Sequence, residues 1–345
     1  MPLTIRRSSR RWTMRSSVPS DDILADLLAA SPAGDAGDHG EAYLRSWRVR
    51  FQTTSLEEIT TRLTAIWVDQ WRDLSTRIFQ TEEPWRQPIY VLPSPALSAE
   101  TVIMDGSPSI VVHHGLMDLV SFAVECDLLC AQANSLVQGS ASGDRISQRL
   151  DALMRHIFHC HMASPAALPM LSHWLSDDSK KAEYLYLAGA EMFVLLHEAA
   201  HIRLDHLSNV VSSTDGGADG FAAWQSRELQ ADSHALQSVS KGHELLVYGA
   251  WIFLWWFSRY QAWQAHYSNY YPTAVVRFRN ILDTASTAID DFSALHQELA
   301  GMEGMKEFLD EGRQKPDLDV LNVGALPDVT EATDEMNVIL YSLFN

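Results

Sequence analysis

Two histidines stand four residues apart at His197 and His201, with Glu198 directly after the first. On a helix that spacing stacks both imidazoles on one face, one turn apart, so both can reach a single cation. Glu198 lies about 100° round the same helix, beside the ion rather than on it, where a carboxylate can hold and deprotonate a water. A second pair, Glu228 and Asp232, repeats the four-residue spacing in WQSRELQADSHAL. There Glu228 can supply a third ligand while Asp232 accepts the remaining N–H of a ligand histidine and orients its ring. Two histidines and a carboxylate, with one position left open, form the donor set of a catalytic zinc site. The expected cofactor is therefore Zn2+, with His197, His201 and Glu228 as ligands, Asp232 behind them and Glu198 as general base.

Another common source of the third ligand is excluded. The pattern HExxHxxGxxH needs glycine at 204 and histidine at 207, where this chain has Leu204 and Leu207. His206 misses by one residue and, on a continuing helix, points off the metal face.

These side chains need a buried helix to hold them. The run LAGAEMFVLLHEAAHIRLDHL is apolar up to His197, and Val194, Leu195, Ala199, Ala200 and Ile202 around the motif are uncharged. Histidines and a glutamate at the centre of such a helix are costly unless paired. The second helix follows the glycine-rich connection SSTDGGADG. Further upstream, residues 54–80 open with a capping box, Ser55 and then Glu58. They carry Ile59, Leu63, Ile66, Trp67 and Trp71 at helical spacing. Between 88 and 116, PIYVLP, TVIMDG and SIVVHHG are short β-prone runs that predict a small sheet. The rest predicts helices at about 116–138, 143–162, 181–207, 221–241, 243–265, 272–300 and 303–312, with one short helix in the final segment. The expected fold class is α+β and predominantly α-helical, with a small sheet beside the active-site helix. Residues 1–40 read as a disordered basic tail, 41–312 as one domain and 313–345 as an acidic tail. Within the domain, 88–116 form the sheet, 117–180 inserted helices, 181–241 the site helices and 243–312 a helical C-terminal part.

Composition narrows the partners. The 345 residues carry a net charge of −18, although the first 20 hold five arginines and no acid. From Asp283 onward there are 14 acids against 3 bases, a surface that repels phosphate backbones, so no nucleic acid is expected. Three cysteines, Cys126, Cys130 and Cys160, make no disulfide framework and suggest a reducing, cytoplasmic setting. The arginine-rich start lacks the apolar run of a secretory signal. LLVYGAWIFLWWFS, residues 245–258, is followed by Arg259. It falls short of the roughly 20 residues a span requires, so a buried helix and no transmembrane span are expected. Trp251, Phe253, Trp255, Trp256 and Phe257 in that run read as core. His156, His159, Cys160 and His161 cluster in RHIFHCHM, but only His156 and Cys160 share a helix face, and no partner set accompanies them. Nothing in the sequence sets the oligomeric state.

HExxH followed by ExxAD resembles a gluzincin metallopeptidase, and is similar to the CAAX-prenyl-protease and heat-shock membrane peptidase superfamily. ELQAD, residues 228–232, matches their second motif without change. Their active helix often reads HExxHxxxGH, where this chain has HEAAHIRLDH with Asp205 at the glycine position. Their His-Pro-x4-Arg box corresponds to YPTAVVR, with Tyr271 at the histidine position and Arg277 in register. SIVVHHGLMDLV is similar to the strand and helix start that precede their active helix. The family's membrane spans are absent, and a soluble relative such as the Lit-type phage-exclusion protease class fits the length better. The resemblance implies a zincin-like metallopeptidase core and a zinc endopeptidase acting on a protein or peptide. Glu198 would take a proton from the attacking water and return it to the leaving amine. Tyr271 or Arg277 would stabilise the oxyanion, with His266 and Tyr270 in reserve. If the strand at 109–113 edges the cleft, an extended peptide would add to it through main-chain hydrogen bonds. Two alternatives use the same residues: a helical binding or regulatory module with a structural or decayed zinc site, and a zinc hydrolase of non-peptide substrates. Glu198 weighs against decay, since a structural site has no use for a general base.

Overall fold

The three β-prone runs pair into one sheet. In the computed structural model, which describes residues 20–30, 37–104, 106–137, 141–163, 168–169, 171–207, 218–263, 272–290, 292–301 and 328–344, these are β1 (Ile89–Leu92), β2 (Ala99–Met104) and β3 (Ser107–His113). β3 lies in the middle, parallel to β1 and antiparallel to β2. Alternation sends Ile89, Val91, Ile110 and Val112 into the main core, and Tyr90, Leu92, Val111 and Met104 to the opposite face. Both edges of β3 are already hydrogen-bonded, so the condition that the strand at 109–113 edges the cleft is not met. The outer edges belong to β1 and β2, and β2 is the one packed against α6. Strand order depends on long-range pairing and leaves no trace in local alternation.

The second sheet face is covered by α1 (Asp21–Ala30), whose Leu24 is fully buried against Tyr90, Leu92, Met104 and Val111. That corrects the disordered assignment for residues 21–30. An apolar sheet face needs a cover, and DILADLLAA provides one with Leu24, Leu27 and Leu28 at helical spacing. α2 (Gly37–Phe51) also begins inside that segment, while residues 1–19 lie outside the described residues. α3 (Leu56–Leu74) starts where the capping box places it, with Ser55 Oγ accepting the Glu58 backbone N–H at 3.1 Å. Along its expected stripe Ile59, Leu63 and Trp71 are buried, whereas Ile66 is exposed.

The remaining helices are α4 (His114–Val137), α5 (Ala141–Ala163), α6 (Asp177–Arg203), α7 (Ala218–Gln237), α8 (His243–Trp263), α9 (Ala274–Ala288), α10 (Phe292–Gly301) and α11 (Val329–Phe344). The fold is thus α+β and predominantly helical. α6 runs through its centre, packed against α4, α7, α8 and the edge strand β2. Every residue from Ala188 to Ala200 is buried, which explains why this stretch is apolar all round apart from Glu191, His197 and Glu198. α6 and α8 cross at two glycines. A Cβ on Gly189 would stand 2.1 Å from the Leu245 carbonyl oxygen, and one on Gly249 2.1 Å from the Ala190 nitrogen. Leu246, Val247, Ala250 and Leu254 of the apolar run 245–258 lie inside the core. Among the described residues, no helix is long and apolar enough to cross a membrane.

Three boundaries differ from expectation. The helix at 272–300 is two helices, because Ile289 turns extended (φ −114, ψ 121) after α9. α6 begins earlier than 181, where Ser176 caps it by accepting the Ser179 N–H at 3.1 Å. The acidic tail at 313–345 ends in a 16-residue helix. That helix, α11, packs on α5 because Ala332, Met336 and Leu340 form a buried stripe and Arg149 pairs with Glu335 through two 2.7 Å bonds. The expected helix at 303–312 lies outside the described residues.

Candidate metal centre

Near its C-terminal end α6 brings His197 and His201 together, with their Nε2 atoms 3.1 Å apart. α7 carries Glu228 across from them. Its carboxylate oxygens stand 3.3 Å from His197 Nε2 and 3.5 Å from His201 Nε2. Ligand atoms about 2.0–2.2 Å from one tetrahedral zinc lie about 3.3–3.6 Å from each other; the two Nε2 atoms, with Glu228 Oε2 nearest His197 and Oε1 nearest His201, are close to that spacing. The three residues form the one group of potential metal ligands of this kind among the described residues. The donor set, two imidazoles and a carboxylate, suits zinc as well as the spacing does.

Behind the ligands lies a buried ionic layer. His197 Nδ1 is 2.9 Å from Asp232 Oδ1, and Asp232 has no solvent exposure. Arg277, from α9, donates Nε to Asp232 Oδ2 at 2.8 Å and Nη2 to Asp232 Oδ1 at 2.7 Å. Its Nη2 also stands 3.3 Å from His197 Nδ1, on the far side of that ring from the ligand cluster. Its Nη1 stands 3.9 Å from Glu228 Oε2. Burial alone would lift the Asp232 pKa, but the Arg277 charge and hydrogen bonds hold it below the usual range.

Burial and the neighbouring carboxylates act on the cluster's histidines in opposite directions. Burial and the Arg277 charge push the His197 proton off, yet the Asp232 and Glu228 carboxylates outweigh them and raise its pKa to about 9. Burial, then the charge of His197, lowers His201 to about 3. Burial favours protonating Glu228, but His197, Arg277 and His201 bring it down to about 2. The carboxylates of Asp232 and Glu228 thus favour positive charge on the facing imidazoles, the position in which a bound metal ion competes with a proton.

Glu198 points to the sheet side of α6. Thr101 of β2 reaches it there, its hydroxyl 2.9 Å from Glu198 Oε2 and 3.0 Å from the Glu198 carbonyl oxygen. Burial lifts the Glu198 pKa to about 7, in the range suited to a general base. Thr101 carried no signal in the sequence, since nothing local says which strand will edge the site.

The sequence also misjudged His206. α6 stops at Leu204, and Asp205 takes a left-handed conformation, φ 56. The chain then folds back: Asp205 N–H bonds Ile202 O at 3.1 Å and His206 N–H bonds His201 O at 3.0 Å, the paired bonds of a Schellman stop. His206 therefore lies against His201 instead of pointing off the metal face, with Nδ1 to Nδ1 at 2.9 Å. Burial lowers its pKa, and nearby Gln230 acts in the opposite direction. Its Nε2 is buried and has no hydrogen-bond partner among the described residues. Asp205 occupies the glycine position of HExxHxxxGH, and its backbone adopts the conformation that glycine favours. That position was the available clue.

Residues 135–299 match the model of the family Peptidase U49. The match supports a peptidase. No curated protein and no solved structure matches the chain. The Peptidase U49 match takes in His197, Glu198, His201, Glu228, Asp232 and Arg277, together with α5, which the sequence had suggested was inserted. It stops short of the sheet and Thr101.

The structure thus brings together six of the seven expected site residues. The seventh, Tyr271, lies outside the described residues, as do Tyr270 and the side chain of His266. His113 and His114 are engaged elsewhere: His113 Nε2 is 3.4 Å from Glu100, and His114 Nδ1 is 2.7 Å from the Tyr43 hydroxyl. His156 and Cys160 share a face, 3.5 Å apart, remote in sequence from the cluster.

Proposed function

We propose that this chain is a zinc-dependent endopeptidase of the gluzincin type, with His197, His201 and Glu228 as the metal ligands. The carrying observation is the convergence of those three ligand atoms beside a buried Glu198, within the stretch that matches a peptidase family. Zinc, when bound, supplies Lewis acidity: it polarises a carbonyl and lowers the pKa of a water to about 7. Glu198 does the proton transfer. Thr101 holds its Oε2, leaving Oε1 to accept the proton of the attacking water and deliver it to the departing amine nitrogen. Asp232 accepts the Nδ1–H of His197 and so turns the Nε2 lone pair toward the cluster. Arg277 is spent on Asp232, so its role is to hold that carboxylate ionised rather than to meet the substrate oxyanion expected of it. Tyr271 remains the candidate for the oxyanion. The substrate is a protein or peptide, admitted beside the free edge of β2.

The test is zinc per chain together with peptide hydrolysis in wild type, Glu228→Ala and Glu198→Gln. The reading expects one zinc in wild type, its loss in Glu228→Ala, and retained zinc with abolished turnover in Glu198→Gln. A wild-type protein that takes up no zinc, or a fully active Glu198→Gln variant, would overturn it.

A further inference from the structure

His201 and His206 meet through their Nδ1 atoms at 2.9 Å, with ring centroids 5.0 Å apart and planes inclined at 67°. One hydrogen fits between two ring nitrogens at that distance, so one ring donates and the other accepts. The donor is fixed by the opposite side of His201. Its Nε2 faces His197 and Glu228, and a ligand nitrogen must present a lone pair there. In a neutral imidazole the proton then resides on Nδ1, which makes His206 the acceptor and places the His206 hydrogen on its own Nε2.

We infer that His206 is a positioning residue, accepting the Nδ1–H of His201 at its own Nδ1 and so fixing the tautomer that turns His201 Nε2 toward the metal. The inference rests on the zinc reading above. It gives the two histidine ligands different supports, the carboxylate of Asp232 behind His197 and an imidazole behind His201. The backbone is built for this contact. In a Schellman stop the second residue beyond the cap packs over the third residue before it, and here those positions are His206 and His201. Arg227 steadies the turn by donating Nη1 to the His206 carbonyl oxygen at 3.5 Å.

The experiment compares zinc affinity, by competition with a chromophoric chelator, in wild type, His206→Ala, His206→Asn and His206→Gln. Circular dichroism monitors the fold of each. The asparagine amide oxygen can occupy the place of His206 Nδ1, whereas the glutamine amide reaches the Nε2 side. His206→Ala and His206→Gln should bind zinc about 10–100-fold more weakly, and His206→Asn should recover most of that loss. Equal affinity in all four proteins, or asparagine no better than glutamine, would overturn the assignment. A second readout needs no metal. Long-range 1H–15N spectra of ring-labelled protein should show His201 as the Nδ1–H tautomer in wild type and His206→Asn, with that preference lost in His206→Ala. An Nε2–H His201 in metal-free wild type would refute the role of His206. An Nδ1–H His201 in a protein that binds no zinc would sustain it while refuting the zinc proposal.

Discussion

Replacing Glu191 with glutamine should make the protein less sensitive to alkaline pH, by an amount the structure sets. Glu191 lies on α6, 3% exposed, where Trp71 of α3 donates its indole N–H to Oε2 at 2.8 Å. Burial raises its pKa from 4.5 to about 7, with the Trp71 bond acting in the opposite direction. A carboxyl that keeps its proton longer when folded than when unfolded costs nothing below its unfolded value. The cost grows between the two pKa values and is constant above the folded one. With those values the penalty is about 1 kcal/mol at pH 5 and about 3 kcal/mol at pH 8. Glutamine has nearly the shape of the protonated acid, keeps an acceptor for Trp71 and does not ionise. Urea unfolding of wild type and Glu191→Gln at pH 5, 6, 7 and 8 isolates this residue, because all other titrations cancel in the difference. The variant should gain about 2 kcal/mol on wild type between pH 5 and 8. A difference that stays flat across that range would show that Glu191 is ionised in the folded state and that its burial has been misjudged.

Leu24→Ala, which empties a fully buried position under the sheet, should cost about 2–5 kcal/mol in urea unfolding, whereas a disordered tail would lose nothing. Gly249→Ala places a methyl 2.1 Å from the Ala190 nitrogen, so α6 and α8 must separate. The expected destabilisation is about 3 kcal/mol, and an unchanged midpoint would contradict the crossing. Thr101→Val removes the hydroxyl that holds Glu198 but preserves shape; kcat should fall about tenfold with zinc content unchanged. Wild-type turnover in that variant would show that Glu198 is positioned without the edge strand.

What was legible in the sequence was what repeats along one helix. His197, His201, Glu228 and Asp232 were readable because four-residue spacing fixes which side chains share a face. Helical periodicity likewise located α6, including its need to be buried. Contacts created where a helix ends were not readable. His206 was assigned by continuing a helix that Asp205 in fact reverses, so its direction was wrong although its position was known. Arg277 was found by register with a motif, but its engagement with Asp232 depends on how α9 lies across α7. Thr101 depends on strand order, which is set by pairing between distant segments. Leu24 and the stripe Ala332, Met336 and Leu340 were visible as apolar spacing, yet charged and small neighbours hid them inside supposed tails.

The dispersal of the centre along the chain has a consequence for the protein's own synthesis. Thr101 and Arg277 are 277 − 101 = 176 positions apart, and the ligands lie between them on two helices joined by a long connection. Chains emerge from the ribosome N-terminus first and fold by whole units. A partly made chain ending after α6 would own both histidines and Glu198, but no Glu228 to complete the ligand set and no Asp232–Arg277 layer to hold His197. If the centre works as proposed, hydrolytic competence would wait until α9 has emerged and docked. A nascent chain, with its own unfolded backbone exposed, would then be harmless to itself and to neighbouring chains during the period when both are easiest to cut.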